Sequence, residues 1–347
     1  MRFKDAFWSG LCCFLLMIWS PAWAAKPDFP VPVGNFAPLS APSEQIWQNH
    51  LTQVAQQPIQ AACRPFRLPA AGRRRGSAVL LHGFSACPQQ YWDVAPMLAE
   101  AGFDVFVPLL PGHGLVYQQE QARFVDQVDA MPTDPEHGRY RDFALSLADL
   151  LSGENGRRLL IGLSVGSAVG AEALSLRPAA FDRALLMAPL FDVVAPQNLY
   201  LPPLNLLFAS RLAEWGPGCE LERAGGRGGY CQFRLTHLRA TQLLGLAALD
   251  RMNQIRATVQ IVGVEGDGAA NNAAIAAGVR HLNFGSGCLY RRGANHSLFS
   301  RYDAPDEDKF WLPDLERQVL RFATTGEFFA TEQRAYDAGL PRCLISD

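Results

Sequence analysis

The sequence predicts an α/β protein: a mostly parallel central sheet with helices on both faces and an inserted cap. Three observations carry that prediction. Short, continuously apolar runs recur at 78–81, 104–107, 159–163, 184–187 and 259–264, as strands buried on both faces require. Segments with apolar residues at helical spacing alternate with several of them, at 91–101, 140–151 and 167–176. The interval 191–255 then breaks the rhythm. It gathers Pro196, Pro202, Pro203, Pro217 and a glycine-rich stretch with apolar helix-like pieces, as an insertion at one end of the sheet would.

Taken in order, the chain opens with Arg2 and Lys4, an apolar stretch at 11–19, and small residues at Ala22 and Ala24. This is the pattern of a signal peptide cleaved after Ala24, and it predicts an exported protein, periplasmic or secreted. The stretch is short of the roughly 20 residues of a membrane span, so no stable span is expected after cleavage, an uncleaved anchor being the alternative. Residues 25–70 read as an N-terminal arm with the first strands, including a short helix at 44–57 ended by Pro58. The core is expected at 71–189 and 257–330, the cap at 190–256, and a C-terminal tail at 331–347. A last helix is expected at 313–322, opened by Pro313.

Acidic and basic residues nearly cancel, with a formal net charge of −2, and no long basic run occurs. A polyanion-binding surface is therefore not expected, and Arg73, Arg74 and Arg75 read as a solvated loop before a strand. Six cysteines remain after the signal segment: Cys63, Cys87, Cys219, Cys231, Cys288 and Cys343. An even number suits disulfides in an oxidising compartment. Cys219 and Cys231 flank the turn-prone glycines 225, 226, 228 and 229 and form the best single pair. No zinc-ligand spacing occurs, and neither metal nor cofactor is expected.

The chemical signal is Gly162-Leu163-Ser164-Val165-Gly166 between an apolar strand and a small-residue helix. A serine on that tight turn stands exposed at the end of the sheet with a helix N-terminus behind it. Its hydroxyl needs a base, and His296, in a loop after the strand candidate 288–291, is best placed to supply one. His82 and His113 precede the serine and read as loop histidines making structural hydrogen bonds. The acid is expected after the strand 259–264, where Asp267 is preferred and Glu265 is the alternative. Backbone N–H groups of Val165 and Phe84 are the candidate oxyanion donors.

With these residues placed, the chain resembles the α/β-hydrolase superfamily. Within it, the likeness is to the branch of monoacylglycerol-lipase-like and carboxylesterase-like serine hydrolases often grouped with the serine aminopeptidases. Leu81-His82-Gly83-Phe84, Pro108 to Gly114, Gly162 to Gly166 and Asn295-His296-Ser297 carry the resemblance, which covers about 75–325. It implies the α/β-hydrolase fold, with an eight-stranded core sheet and a cap.

The expected function is hydrolysis of a small-molecule carboxylic ester through an acyl-enzyme. The apolar stretch 199–212 would either line an acyl-chain pocket or pack the cap on the sheet. A peptidase or amidase on the same triad is one alternative, needing carboxylates such as Glu214, Glu220 or Glu222 to hold a substrate ammonium. A binding protein that kept the fold without catalysis is the other.

Overall fold

The computed structural model describes residues 29–30, 38–116, 130–214, 219, 225–301 and 309–344. The expected signal segment 1–24 lies outside them, as do Glu220, Glu222 and the side chain of Glu214. Among the described residues no helix is long and apolar enough to cross a membrane.

The central sheet grows from β2 (Gly76–Leu81), β3 (Phe103–Val107), β4 (Arg157–Leu163), β5 (Arg183–Met187), β8 (Thr258–Val264) and β9 (Gly285–Tyr290). All pairings among these six strands are parallel. Side chains alternate across the sheet, so Val79 and Leu81 of β2 enter one apolar core while Ala78 and Leu80 enter the other. Burial on both faces is why these strands are continuous apolar runs rather than alternating ones. The first core is covered by α3 (Gly138–Ser152), α4 (Val165–Leu176), α6 (Leu235–Asp250) and α7 (Asn272–His281). Outside α3 lies α1 (Ala41–Ala55), capped by the Ser40 hydroxyl and pinned by the Ser43 hydroxyl donating to the Leu150 carbonyl at 2.7 Å. The second core is covered by α2 (Val94–Glu100) and α8 (Leu312–Thr325).

The edges differ from expectation. Among the described residues the sheet has nine strands, in the order β1-β3-β2-β4-β5-β8-β9-β11-β10, rather than eight. Short β1 (Phe66–Leu68) adds antiparallel at one edge. At the other, the expected tail supplies β10 (Thr331–Tyr336) and β11 (Leu340–Cys343), an antiparallel hairpin whose second strand runs parallel to β9. Their sequence is too short and polar to read as core, since β10 is mostly exposed. A disulfide, Cys288–Cys343, fastens β11 to β9.

Between β5 and β8 the chain leaves the sheet to form α5 (Gln197–Phe208) and a small hairpin of β6 (Leu212–Glu214) and β7 (Gln232–Arg234). Helix α6, expected within the cap, packs on α4 as part of the core layer. The disulfide Cys219–Cys231 closes the loop between β6 and β7, as expected, and Cys63–Cys87 joins the segment before β1 to the loop after β2. Arg74 is not merely solvated: it binds the buried carboxylates of Asp104 at 3.0 Å and Glu154 at 2.7 Å, tying the start of β2 to its neighbours.

Candidate active site

Ser164 follows β4 and precedes the first turn of α4. Its backbone has φ 56° and ψ −116°, a strained left-handed region for a residue with a Cβ. The turn is enforced by close packing on both sides. A Cβ at Gly162 would lie 2.6 Å from the Ser167 backbone, and one at Gly166 would lie 2.1 Å from the Leu81 carbonyl oxygen. The serine side chain is thereby aimed at the loop after β9.

His296 sits in that loop. Its Nε2 is 2.8 Å from the Ser164 Oγ, and its Nδ1 is 2.8 Å from the Asp267 Oδ2. Asp267 lies in the turn after β8, where its Oδ1 accepts from the amides of Ala269 at 2.7 Å and Ala270 at 2.9 Å. Burial opposes its charge, but His296 and those two amides outweigh it and hold the carboxyl below the usual carboxylate range. The structure thus brings together three residues that are 103 and 29 positions apart in sequence, on three separate loops at one end of the sheet.

Glu265, the alternative acid, points elsewhere. It pairs with Arg342 of β11, whose guanidinium also stacks over the Tyr336 ring at 4.1 Å. The two candidate oxyanion donors flank the serine. Phe84 lines the cavity beside it, and Val165 opens α4, where an N–H has no partner within the helix. Gln90 was invisible to sequence reasoning, because nothing marks a glutamine on a short turn. Its Oε1 accepts from the Gly83 N–H at 2.8 Å and so fixes the loop one residue before Phe84.

His82 and His113 make the structural bonds expected of them. His82 accepts from the Leu110 N–H at 3.0 Å and lies 2.9 Å from the Gly83 carbonyl, so it bridges two loops of the site. Burial, then the neighbouring His113, push its pKa well below the usual histidine value. Burial lowers both His113 and His50 to about 4. Each is a folded-state pKa below the unfolded one, so the unfolded chain takes up protons that the folded chain refuses. Stability should therefore be fully present above about pH 6.5 and fall as the pH drops toward 4, by roughly 1 kcal/mol per pH unit per histidine. Urea titrations at pH 7 and pH 5 check this. His50→Gln, which keeps an acceptor for the Leu109 N–H, should reduce the difference by one histidine's share, and an undiminished difference would contradict the assignment.

Ser164 and His296 open on a cavity of about 520 Å³, with Asp267 bonded to His296 but outside its lining. Its apolar wall comes from Leu190, Val193, Val194 and Leu238. The stretch 199–212 does not line the cavity: Leu201 is buried and its helix packs on α6, while Leu199, Leu206 and Leu207 face outward, Leu206 with 84% of its surface exposed. Among the described residues no group of three histidine, cysteine or carboxylate side chains converges to hold a metal.

The model of the alpha/beta hydrolase family matches residues 78–341, well over half of the chain. The chain belongs to the alpha/beta hydrolase family. No curated protein matches it. Among solved structures this α/β hydrolase is similar to a chain from work on LipS and LipT, two metagenome-derived lipolytic enzymes, with 17% identity and a TM-score of 0.58; the likeness covers 76% of this chain and 98% of that one. It is similar also to a monoacylglycerol lipase of Paleococcus ferrophilus, at 15% identity and TM-score 0.54, over 76% and 99% of the two chains. A monoglyceride lipase of Saccharomyces cerevisiae gives 17% identity and TM-score 0.58, over 75% and 90%. At these identities the likeness is one of fold.

Proposed function

We propose that this α/β hydrolase cleaves a carboxylic ester through an acyl-enzyme, with Ser164 as nucleophile, His296 as general base and Asp267 as its orienting acid. The observation that carries the reading is the unbroken line of hydrogen bonds from Asp267 through His296 to Ser164, 2.8 Å at each step, at the edge of a cavity. With Nδ1–H donated to Asp267, the imidazole presents a lone pair at Nε2 to the serine hydroxyl. The Ser164 Oγ attacks the carbonyl carbon as its proton passes to His296. The N–H groups of Phe84 and Val165 receive the developing oxyanion. His296 then protonates the departing alcohol, and the same base activates the water that releases the acid.

Fold-mates described as lipases and a cavity wall of leucine and valine support an acyl group as the buried part of the substrate. Three disulfides fit an oxidising compartment and so export, through the signal peptide read at 1–24.

The test is labelling of the full chain by a fluorophosphonate, with turnover of 4-nitrophenyl esters from acetate to palmitate. Stoichiometric labelling at Ser164 with an optimum at a definite chain length is the expected result. A folded chain that neither labels nor turns over any ester would leave a non-catalytic binding protein in its place.

A further inference from the structure

Another part of the cavity wall is built differently. It includes Arg227, the one side chain of fixed charge among the described residues that line the cavity. Its backbone is held on both sides. The Gln89 amide donates to the Gly226 carbonyl at 2.8 Å and accepts from the Gly228 N–H at 2.7 Å, gripping the residues before and after Arg227. Gln89 is itself buried. One residue further, the Gly229 N–H donates to Gln60 at 3.0 Å, and the Tyr230 N–H donates to the Ser85 carbonyl at 2.7 Å. The glycines are required for so close an approach: a Cβ at Gly228 would meet both sulfurs of Cys63–Cys87 within 2.8 Å, and one at Gly229 would lie 2.2 Å from the Ser85 carbonyl oxygen. The guanidinium rests on the second disulfide, with Nη1 3.3 Å from the Cys219 Sγ.

We infer that Arg227 is a specificity-determining residue that selects esters carrying an anionic group, a carboxylate or its equivalent, elsewhere in the molecule. This deepens the esterase reading and rests on it. A cation in a partly apolar, partly enclosed cavity gains little from a neutral acyl chain, whereas a carboxylate meets it with charge-assisted, often paired, hydrogen bonds. The inference does not need the whole guanidinium, because five N–H donors allow it to hold protein partners and a ligand oxygen together. The loop that carries Arg227 is bonded to Ser85, next to the candidate oxyanion donor Phe84, and Arg227 lines the same cavity as Ser164.

The anion can belong to the acyl part or to the alcohol part of the ester, and paired substrates separate the two. Monophenyl adipate is compared with its uncharged shape-mate phenyl 6-methylheptanoate. 4-(Butanoyloxy)benzoate is compared with 4-isopropylphenyl butanoate. For the wild-type chain, kcat/KM for at least one charged ester should exceed that of its shape-mate by about tenfold or more. The advantage should reside mainly in KM and shrink as salt is added. Arg227→Gln should abolish that preference, and Arg227→Lys should retain part of it. Fluorophosphonate labelling of Ser164 in each variant reports that the site is still folded. If the neutral ester of both pairs is turned over as well as its charged partner, or if Arg227→Gln keeps the preference, the inference is overturned and the esterase reading stands. If no ester is turned over and Ser164 does not label, both fall together.

Discussion

Replacing Ser164 by alanine is expected to lower kcat for ester hydrolysis by a factor on the order of 10⁶, with the fold intact. The side chain occupies a turn whose shape is set by Gly162 and Gly166, and alanine fits wherever serine does. Asp267→Asn should cost about 10⁴, because an asparagine that keeps the bonds from Ala269 and Ala270 favours the imidazole tautomer with its proton facing the serine. Glu265→Gln should cost less than tenfold, since that carboxylate faces Arg342 and not His296. Rates on a single 4-nitrophenyl ester, with circular dichroism to verify folding, give the ranking. A Glu265 variant slower than the Asp267 variant would reverse the assignment of the acid.

Gly166→Ala should be severely damaging to both stability and turnover. The added Cβ meets the Leu81 carbonyl oxygen at 2.1 Å and the His82 carbonyl oxygen at 2.6 Å, and both are backbone at the end of the central strand. Neither can swing aside as a side chain would. The start of α4 must lift away from β2, taking Ser164 and the Val165 N–H with it. A stability loss of about 3 kcal/mol or more is expected, at the upper end of overpacking costs, together with loss of turnover. Gly268→Ala serves as the comparison for stability, because nothing lies within 4 Å of its added Cβ and it has no left-handed φ. Urea denaturation of the two variants should separate them clearly. Equal midpoints would mean that the strand end yields more easily than backbone packing implies.

Six parallel strands and the serine turn were legible because their cause is local. A strand buried on both faces is apolar nearly throughout, and 159–163 running through Gly162 to Gly166 into a small-residue helix marks a strand–turn–helix. The pair Cys219–Cys231 was legible for a related reason, since 12 residues rich in glycine close easily on themselves. The edge strands were not. Residues 331–336 are polar and mostly exposed, and the hairpin they open joins the sheet because β9 offers an unpaired edge and Cys288 a sulfur to hold Cys343. The apolar stretch 199–212 misled for the opposite reason: hydrophobicity alone does not say which face of a cap helix turns inward, and much of this one turns out.

The sequence by itself determined the α/β class, the strand–turn–helix that strains Ser164, and the order in which a serine, an acid and a histidine must come. Local patterns encode these, through apolar periodicity and glycines where no Cβ fits. Only the tertiary structure placed Asp267 beside His296 and Glu265 beside Arg342, brought Gln90 to the Gly83 amide, and set Arg227 in the cavity between two glycines gripped by Gln89. Each of those outcomes depends on a partner 7 to 139 positions away, and a contact across such a distance is settled by the packing of the whole chain rather than by any segment of it.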